Sequence, residues 1–187
     1  LFRSGDSENL SPAERARRER LRESGAGITG FSADDAMTVV AFALSGQLWI
    51  VDVASGSAQL IDGYEAVVDP RLNAQGSLVA FTAGSDFYVY DIIDGREVFA
   101  LTSESDTVSY GLADFIASEE LDRYRGHWWS PDGSQLVVER NDEAAVGIAW
   151  IADPTFPDAQ PRPHRYPAAG TTNSDVSLLY INLADNT

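Results

Sequence analysis

A repeat with a shift of 39 residues constrains this chain more than any other feature of its sequence. From residue 28 onward, short runs rich in β-branched and aromatic residues alternate with turn sequences: "TVVAFAL", "QLWIVDV" and "AQLI", then "SLVAFTA", "DFYVYDI" and "EVFALT". The two sets superpose, with Ala41-Phe42 on Ala80-Phe81 and Val51-Asp52 on Tyr90-Asp91, and a third copy begins at "WWSPDGSQLVVER". Each unit holds a turn of the "SPDG" or "NAQG" type, a strand, a second strand ending in Asp, an "SG" or "DG" turn and an edge strand.

A period near 40 with about four short antiparallel strands per unit is the pattern of a propeller blade. One such sheet cannot bury both of its faces alone, so units must stack on their neighbours. The expected fold is all-β: a partial β-propeller of three to four four-stranded antiparallel blades, with an N-terminal helix and a short helical insertion. The blades are placed at about 28–63, 64–102 and 128–170, with the start of a next blade at 171–187 and the helical insertion at 103–127. Closed propellers usually have at least four blades, so the chain reads as a part of one. A small β-sandwich is the rival, and it accounts less well for the repeat.

Ahead of the repeats, residues 1–26 form an arginine-rich segment holding six of the thirteen arginines. In "SPAERARRERLRES", Ser11, Pro12 and Glu14 have the spacing of a capping box, and a helix of about three turns is expected to end near "SGAG". So short a helix is marginal alone, so it is expected to dock through its arginines as much as through packing.

Composition narrows the chemistry. Hydrophobic content of 44% supports a real core. There is no cysteine and there are two histidines, His127 and His164, so no metal site and no cofactor is expected. A net charge of −16 disfavours nucleic acid as a partner. No apolar run reaches the length of a membrane span. The expected location is the cytoplasm, or the periplasm or exterior had a leader been removed.

The spacing between the second and third copies stretches from 39 to 57 residues, and the additional residues include "GLADFIASEELDRYRGHWW". Insertions between regular blades sit at a rim or over the central cavity, where function is usually carried. The adjacent Glu119 and Glu120 are therefore a candidate site for something positive. The plainer reading is a solvated helix face, or partners for Arg123 and Arg125. Trp128 and Trp129 read as strand residues filling space between sheets, and "SPDG" as a turn. Asp142 and Glu143 either hold arginines of the cavity or cap a strand end.

The ordered set Glu-Glu, Asp-Arg-Tyr, Trp-Trp-Ser-Pro, Asp-Glu and Arg-Tyr-Pro-x-x-Gly-x-x-Asn resembles the propeller of the dipeptidyl peptidase IV family of serine peptidases. The resemblance extends back through "LNAQG" and "FSADD" to "RRERLRESGAGI". It implies an aminopeptidase that releases X-Pro or X-Ala dipeptides from peptides with a free N-terminus. It also implies a catalytic α/β-hydrolase domain elsewhere in the parent chain, and a homodimer. No Gly-x-Ser-x-Gly occurs here, so no catalytic residue is assigned and this chain alone is expected to be inactive. By the resemblance, Glu119 and Glu120 receive the substrate α-amine. Arg22, with Arg18 and Arg20 as neighbouring alternatives, contacts a substrate carbonyl and steadies the pair; the plain alternative is an exposed arginine. The competing function is a non-enzymatic propeller that binds a protein partner.

Overall fold

The computed structural model describes residues 10, 12–20, 22, 27–152, 154–155, 158 and 160–185. Two four-stranded antiparallel sheets follow one another in sequence order. The first contains β1 (Ser32–Ala33), β2 (Val39–Leu44), β3 (Gln47–Asp52) and β4 (Ala58–Ile61). The second contains β5 (Val67–Leu72), β6 (Leu78–Ala83), β7 (Asp86–Asp91) and β8 (Arg96–Leu101). Alternation explains how they stack. Val79 and Phe81 of β6 pack with Ala41, Leu48 and Ile50 of the first sheet. Ala80, with Phe87 and Val89, turns to the other face and packs against a third sheet. A strand apolar on both faces, as "LVAFTA" is, belongs in the middle of such a stack. Phe81 is 0% exposed, and truncating such a ring to alanine costs about 3–5 kcal/mol.

Polar side chains close the turns at repeating positions. Asp34 Oδ1 accepts from the amides of Thr38 and Val39 at 2.7 and 2.8 Å. Asn73 Oδ1 accepts from Ser77 and Leu78 at 3.0 and 3.1 Å. Ser130 Oγ accepts from Gln135 at 3.0 Å. These side chains replace the partners that a tight turn denies its own backbone.

The third sheet corrects two expectations. Its central strand β11 (Gln135–Asp142) is flanked on one side by β9 (Val108–Tyr110) and β10 (His127–Trp129), placed end to end against Arg140–Asp142 and Leu136–Val138. The helical insertion thus interrupts the first strand of this blade instead of lying between two blades. On its other side, β11 pairs along its whole length with β14 (Asp175–Asn182). The expected boundary between a blade at 128–170 and a new one from 171 is therefore wrong, because β14 belongs to the same sheet as β10 and β11. The physical cause is the connection. Ser45-Gly46 and Gly84-Ser85 join the corresponding strands of the first two sheets, whereas residues 143–174 separate them here, and β12 (Ile148–Ile151) and β13 (Arg162–Arg165) within that stretch pair with each other. Val176, Leu178 and Tyr180 form an exposed apolar row on β14.

The N-terminal helix α1 spans Pro12–Arg20. Ser11, the expected cap, lies outside the described residues. The capping box therefore lies outside the described residues, and the buried Glu14 carboxylate holds Arg17 at 2.8 Å and Arg18 at 2.7 Å. Burial raises its pKa, but the two guanidiniums outweigh this and hold it below the usual carboxylate range. Arg17 also donates to Thr29 Oγ1 at 3.0 Å, tying the helix to the chain leading into the first sheet. Among the described residues no helix is long and apolar enough to cross a membrane.

Candidate functional site

Two glycines form the neck of the excursion between β9 and β10. A Cβ on Gly126 would lie 2.5 Å from the carbonyl carbons of Gly111 and Leu112, and one on Gly111 would meet Thr82 Oγ1 at 2.6 Å. Only residues without a side chain allow the two chains to pass this closely. The amide of Gly111 donates to the carbonyl of Glu139, and the amide of Glu139 to the carbonyl of Gly126, at 2.9 and 2.8 Å. Leu112 and Arg125 bridge just beyond. His127, fully buried beneath, places Nδ1 3.2 Å from the carbonyl of Gly111, and burial pushes its pKa down.

Helix α2 (Phe115–Glu120) rises from this neck. Asp114 caps it, accepting from the amides of Ile116 and Ala117 at 3.0 and 3.3 Å. A buried charge network pins the cap to the sheet. Glu139, 0% exposed on β11, accepts from the amide of Asp114 at 2.9 Å, and Arg123 joins Glu139 to Asp114, the latter at 3.1 Å. Burial pushes the Glu139 carboxyl above its usual range, against the opposing pull of Arg123 and the Asp114 amide. An unpaired charge there would be costly, so the network resists rearrangement.

Glu119 and Glu120 occupy the C-terminal end of α2 and both are exposed. Neither Arg123 nor Arg125 pairs with them: Arg123 is committed to Asp114 and Glu139, and Arg125 lies near Asp69. Glu119 instead forms an ion pair with Arg20 of α1, whose guanidinium also lies 5.7 Å from the Phe115 ring centre. Arg22, two residues on, is exposed in a turn with φ 55°, its amide donating to the carbonyl of Glu19 at 3.1 Å. Arg18 points to Glu14. The structure therefore brings Arg20, Glu119 and Glu120 to one end of α2 and leaves Arg22 outside that pairing. Two carboxylates in the last turn of a helix, with no basic residue in that turn, face the negative end of its dipole and so favour a cation.

Connected hollows run from this point. A cleft lined by Arg17, Arg20, Val68, Leu112 and Tyr124 leads to a larger cavity of about 410 Å3, which shares Arg17 and Tyr124 with it. Trp128 lines the larger cavity and Arg123 sits over its ring at 5.8 Å. Trp129 has a packing role, its Nε1 donating to the carbonyl of Arg71 at 3.0 Å while the ring joins the core. Asp142 accepts from the amide of Ala144 at 2.9 Å and closes a strand end. Burial pushes Glu143 up, against the fields of Arg165, His164 and Arg20. The β12–β13 hairpin reaches α2, since Phe115 meets Tyr166 edge-on at 5.3 Å. Among the described residues no three metal-binding side chains are gathered.

Residues 33–187 match the family profile for the dipeptidyl peptidase IV N-terminal region. Human dipeptidyl peptidase 8 is 32% identical over 129 residues, 59% of this chain and 14% of that protein. A probable dipeptidyl-aminopeptidase B of Pyrenophora teres f. teres is 27% identical over 160 residues, 74% of this chain and 17% of that protein. The chain thus spans about a sixth of the length of these relatives. Among solved structures, the dipeptidyl peptidase 4 of Porphyromonas gingivalis superposes with a TM-score of 0.71 at 22% identity, over 90% of this chain and 26% of that one. At that identity the likeness speaks for the fold, which is that of a partial propeller.

Proposed function

The chain belongs to the dipeptidyl peptidase IV family, whose N-terminal region it carries, and from that premise we propose that it is the substrate-receiving propeller portion of a serine-type dipeptidyl peptidase. In this reading Glu119 and Glu120 anchor the free α-amine of a peptide whose N-terminal X-Pro or X-Ala dipeptide is then released. The nucleophile, base and oxyanion donors come from a hydrolase domain outside this chain.

One observation carries the reading: the exposed Glu119-Glu120 pair stands at the end of a helix held rigidly on the third sheet, with a cation already at Glu119. An α-amine has a pKa of about 8, so it is mostly protonated at neutral pH and donates charge-assisted hydrogen bonds to carboxylates. Arg20 occupies one carboxylate and limits how far Glu119 can swing, while Glu120 has no ion pair among the described residues. We assign Arg20 to hold the pair, and keep Arg22, exposed beyond the helix, for a substrate carbonyl.

A fixed amine anchor also measures length. Extended peptide advances about 3.3–3.6 Å per residue, so an anchor two residues from a nucleophile selects dipeptides over longer overhangs. The test is release of Ala-Pro from a chromogenic substrate by the full-length gene product and by this chain. The expected result is turnover by the former alone. A full-length product that folds and releases no dipeptide would leave the protein-binding propeller as the better reading.

A further inference from the structure

We propose that Arg71 and Arg125, which share the single carboxylate of Asp69, form a second subsite that takes a carboxylate of the bound peptide downstream of its amine. The inference rests on the peptide-binding role above and adds a charge preference to it.

The chain carries a net charge of −16, yet its larger cavity is lined by Arg17, Arg71, Arg123 and Arg125 against Asp69 and Asp122. Two of these arginines are committed elsewhere, Arg17 to Glu14 and Arg123 to Asp114 and Glu139. Arg71 pairs with Asp69 Oδ1, and Arg125 Nε stands 3.9 Å from Asp69 Oδ2, too far for a hydrogen bond. Two guanidiniums thus answer to one carboxylate, and Asp122, the other acid of the lining, is bonded to Tyr124 instead of to either of them. Arg71 Nε has no hydrogen-bond partner among the described residues. The Arg125 pKa is lowered first by burial and then by Arg71, with only partial relief from Asp69, as expected of a crowded cation pair.

The backbone that carries the two arginines is also held in place. Trp129 Nε1 fixes the carbonyl of Arg71, and Arg123 donates to the carbonyl of Arg125 at 2.8 Å. Their side chains remain 32% and 42% exposed. Guanidinium forks suit a planar carboxylate, which accepts two parallel hydrogen bonds. Arg17 and Tyr124 line both this cavity and the cleft that reaches Arg20, the partner of Glu119, so one extended chain can engage both ends.

The experiment uses the full-length gene product and C-terminally amidated Ala-Pro peptides that differ by Glu or Gln at one of positions three to six. A free-acid version of the Gln peptide tests the α-carboxylate as the alternative source. Relative kcat/KM is read at low salt, and binding is read separately by anisotropy of fluorophore-labelled peptides. A preference of about three- to tenfold for the acidic member is expected at one position, since a partly exposed pair is weakened by solvent. Arg71→Gln and Arg125→Gln should bring the ratio to about one, and Arg125→Lys should restore part of it. Preference for the free acid alone supports the subsite with the α-carboxylate as ligand. A wild-type ratio of one throughout, or a preference kept in both Gln variants, overturns the proposal. If no peptide is cleaved, the functional reading fails and the anisotropy ratios decide the subsite by themselves.

Discussion

Arg20 of α1 and Glu119 of α2 form an ion pair across 99 positions of sequence, joining the arginine-rich helix to the end of the inserted one. Arg22 shows no such pairing among the described residues. In the full-length protein, Arg20→Gln is expected to lower kcat/KM for free-amine peptides about five- to tenfold, by releasing Glu119 from its place. Arg22→Gln should act mainly through a substrate carbonyl and cost less. Steady-state kinetics on both variants decides between them, and a larger loss at Arg22 would reverse the assignment.

Gly126 is expected to tolerate no side chain. Its added methyl would meet the backbone at 2.5 Å, whereas at Gly147 nothing among the described residues lies within 4 Å. Gly126→Ala should cost roughly 1–3 kcal/mol or more, because backbone must move to admit it. Gly147→Ala should be close to neutral. Urea unfolding of the two variants is the comparison, and equal midpoints would mean that the neck yields more easily than its geometry implies.

Acid stability offers a third test. Burial raises the Asp34 pKa, but hydrogen bonds from Val39 and Thr38 more than offset this and leave it below the usual 3.8. A carboxylate depressed on folding adds stability above its unfolded pKa and loses it as pH falls through the folded value. This contribution should therefore be fully present well above 3.8 and be lost progressively as pH falls past that value and through the lower folded one. Asn73 performs the same turn-closing task in the second sheet without a charge. Asp34→Asn should thus retain the turn and flatten the acid limb of the stability profile, whereas Asp34→Ala should destabilise by about 1–3 kcal/mol at neutral pH. An Asn variant with an unchanged acid limb would assign that limb to other carboxylates.

The stacked sheets were legible because strands buried on both faces repeat at a constant spacing, and Ala41-Phe42 and Ala80-Phe81 do so. The third sheet broke that spacing twice. Leu179-Tyr180-Ile181-Asn182 matches Trp49-Ile50-Val51-Asp52, and its Asn182 closes a turn on Ala184 as Asp52 does on Ser55. That signal was present, but residues 143–174 separate it from β11 and hid its membership. Glu119 and Glu120 were visible as a motif. The identity of their arginine was not, because neighbouring residues on a helix point about 100° apart and "RARRERLR" has too weak an apolar stripe to set its rotation. Nor was the Asp114–Arg123–Glu139 network, which depends on a strand and an excursion meeting in space.

The central claim, that Glu119 and Glu120 receive a free α-amine, is tested most directly by comparing free and N-acetylated Ala-Pro substrates on the full-length protein and on its Glu119→Gln and Glu120→Gln variants. Acetylation removes the positive charge and leaves the scissile bond intact. Each hydrogen bond to a charged group contributes about 1.5–3 kcal/mol, so wild type should favour the free amine strongly and each variant should lose roughly ten- to a hundredfold of that preference. Thermal midpoints should change little, because both side chains are exposed. Equal discrimination between free and blocked amines in wild type and in both variants would contradict the claim.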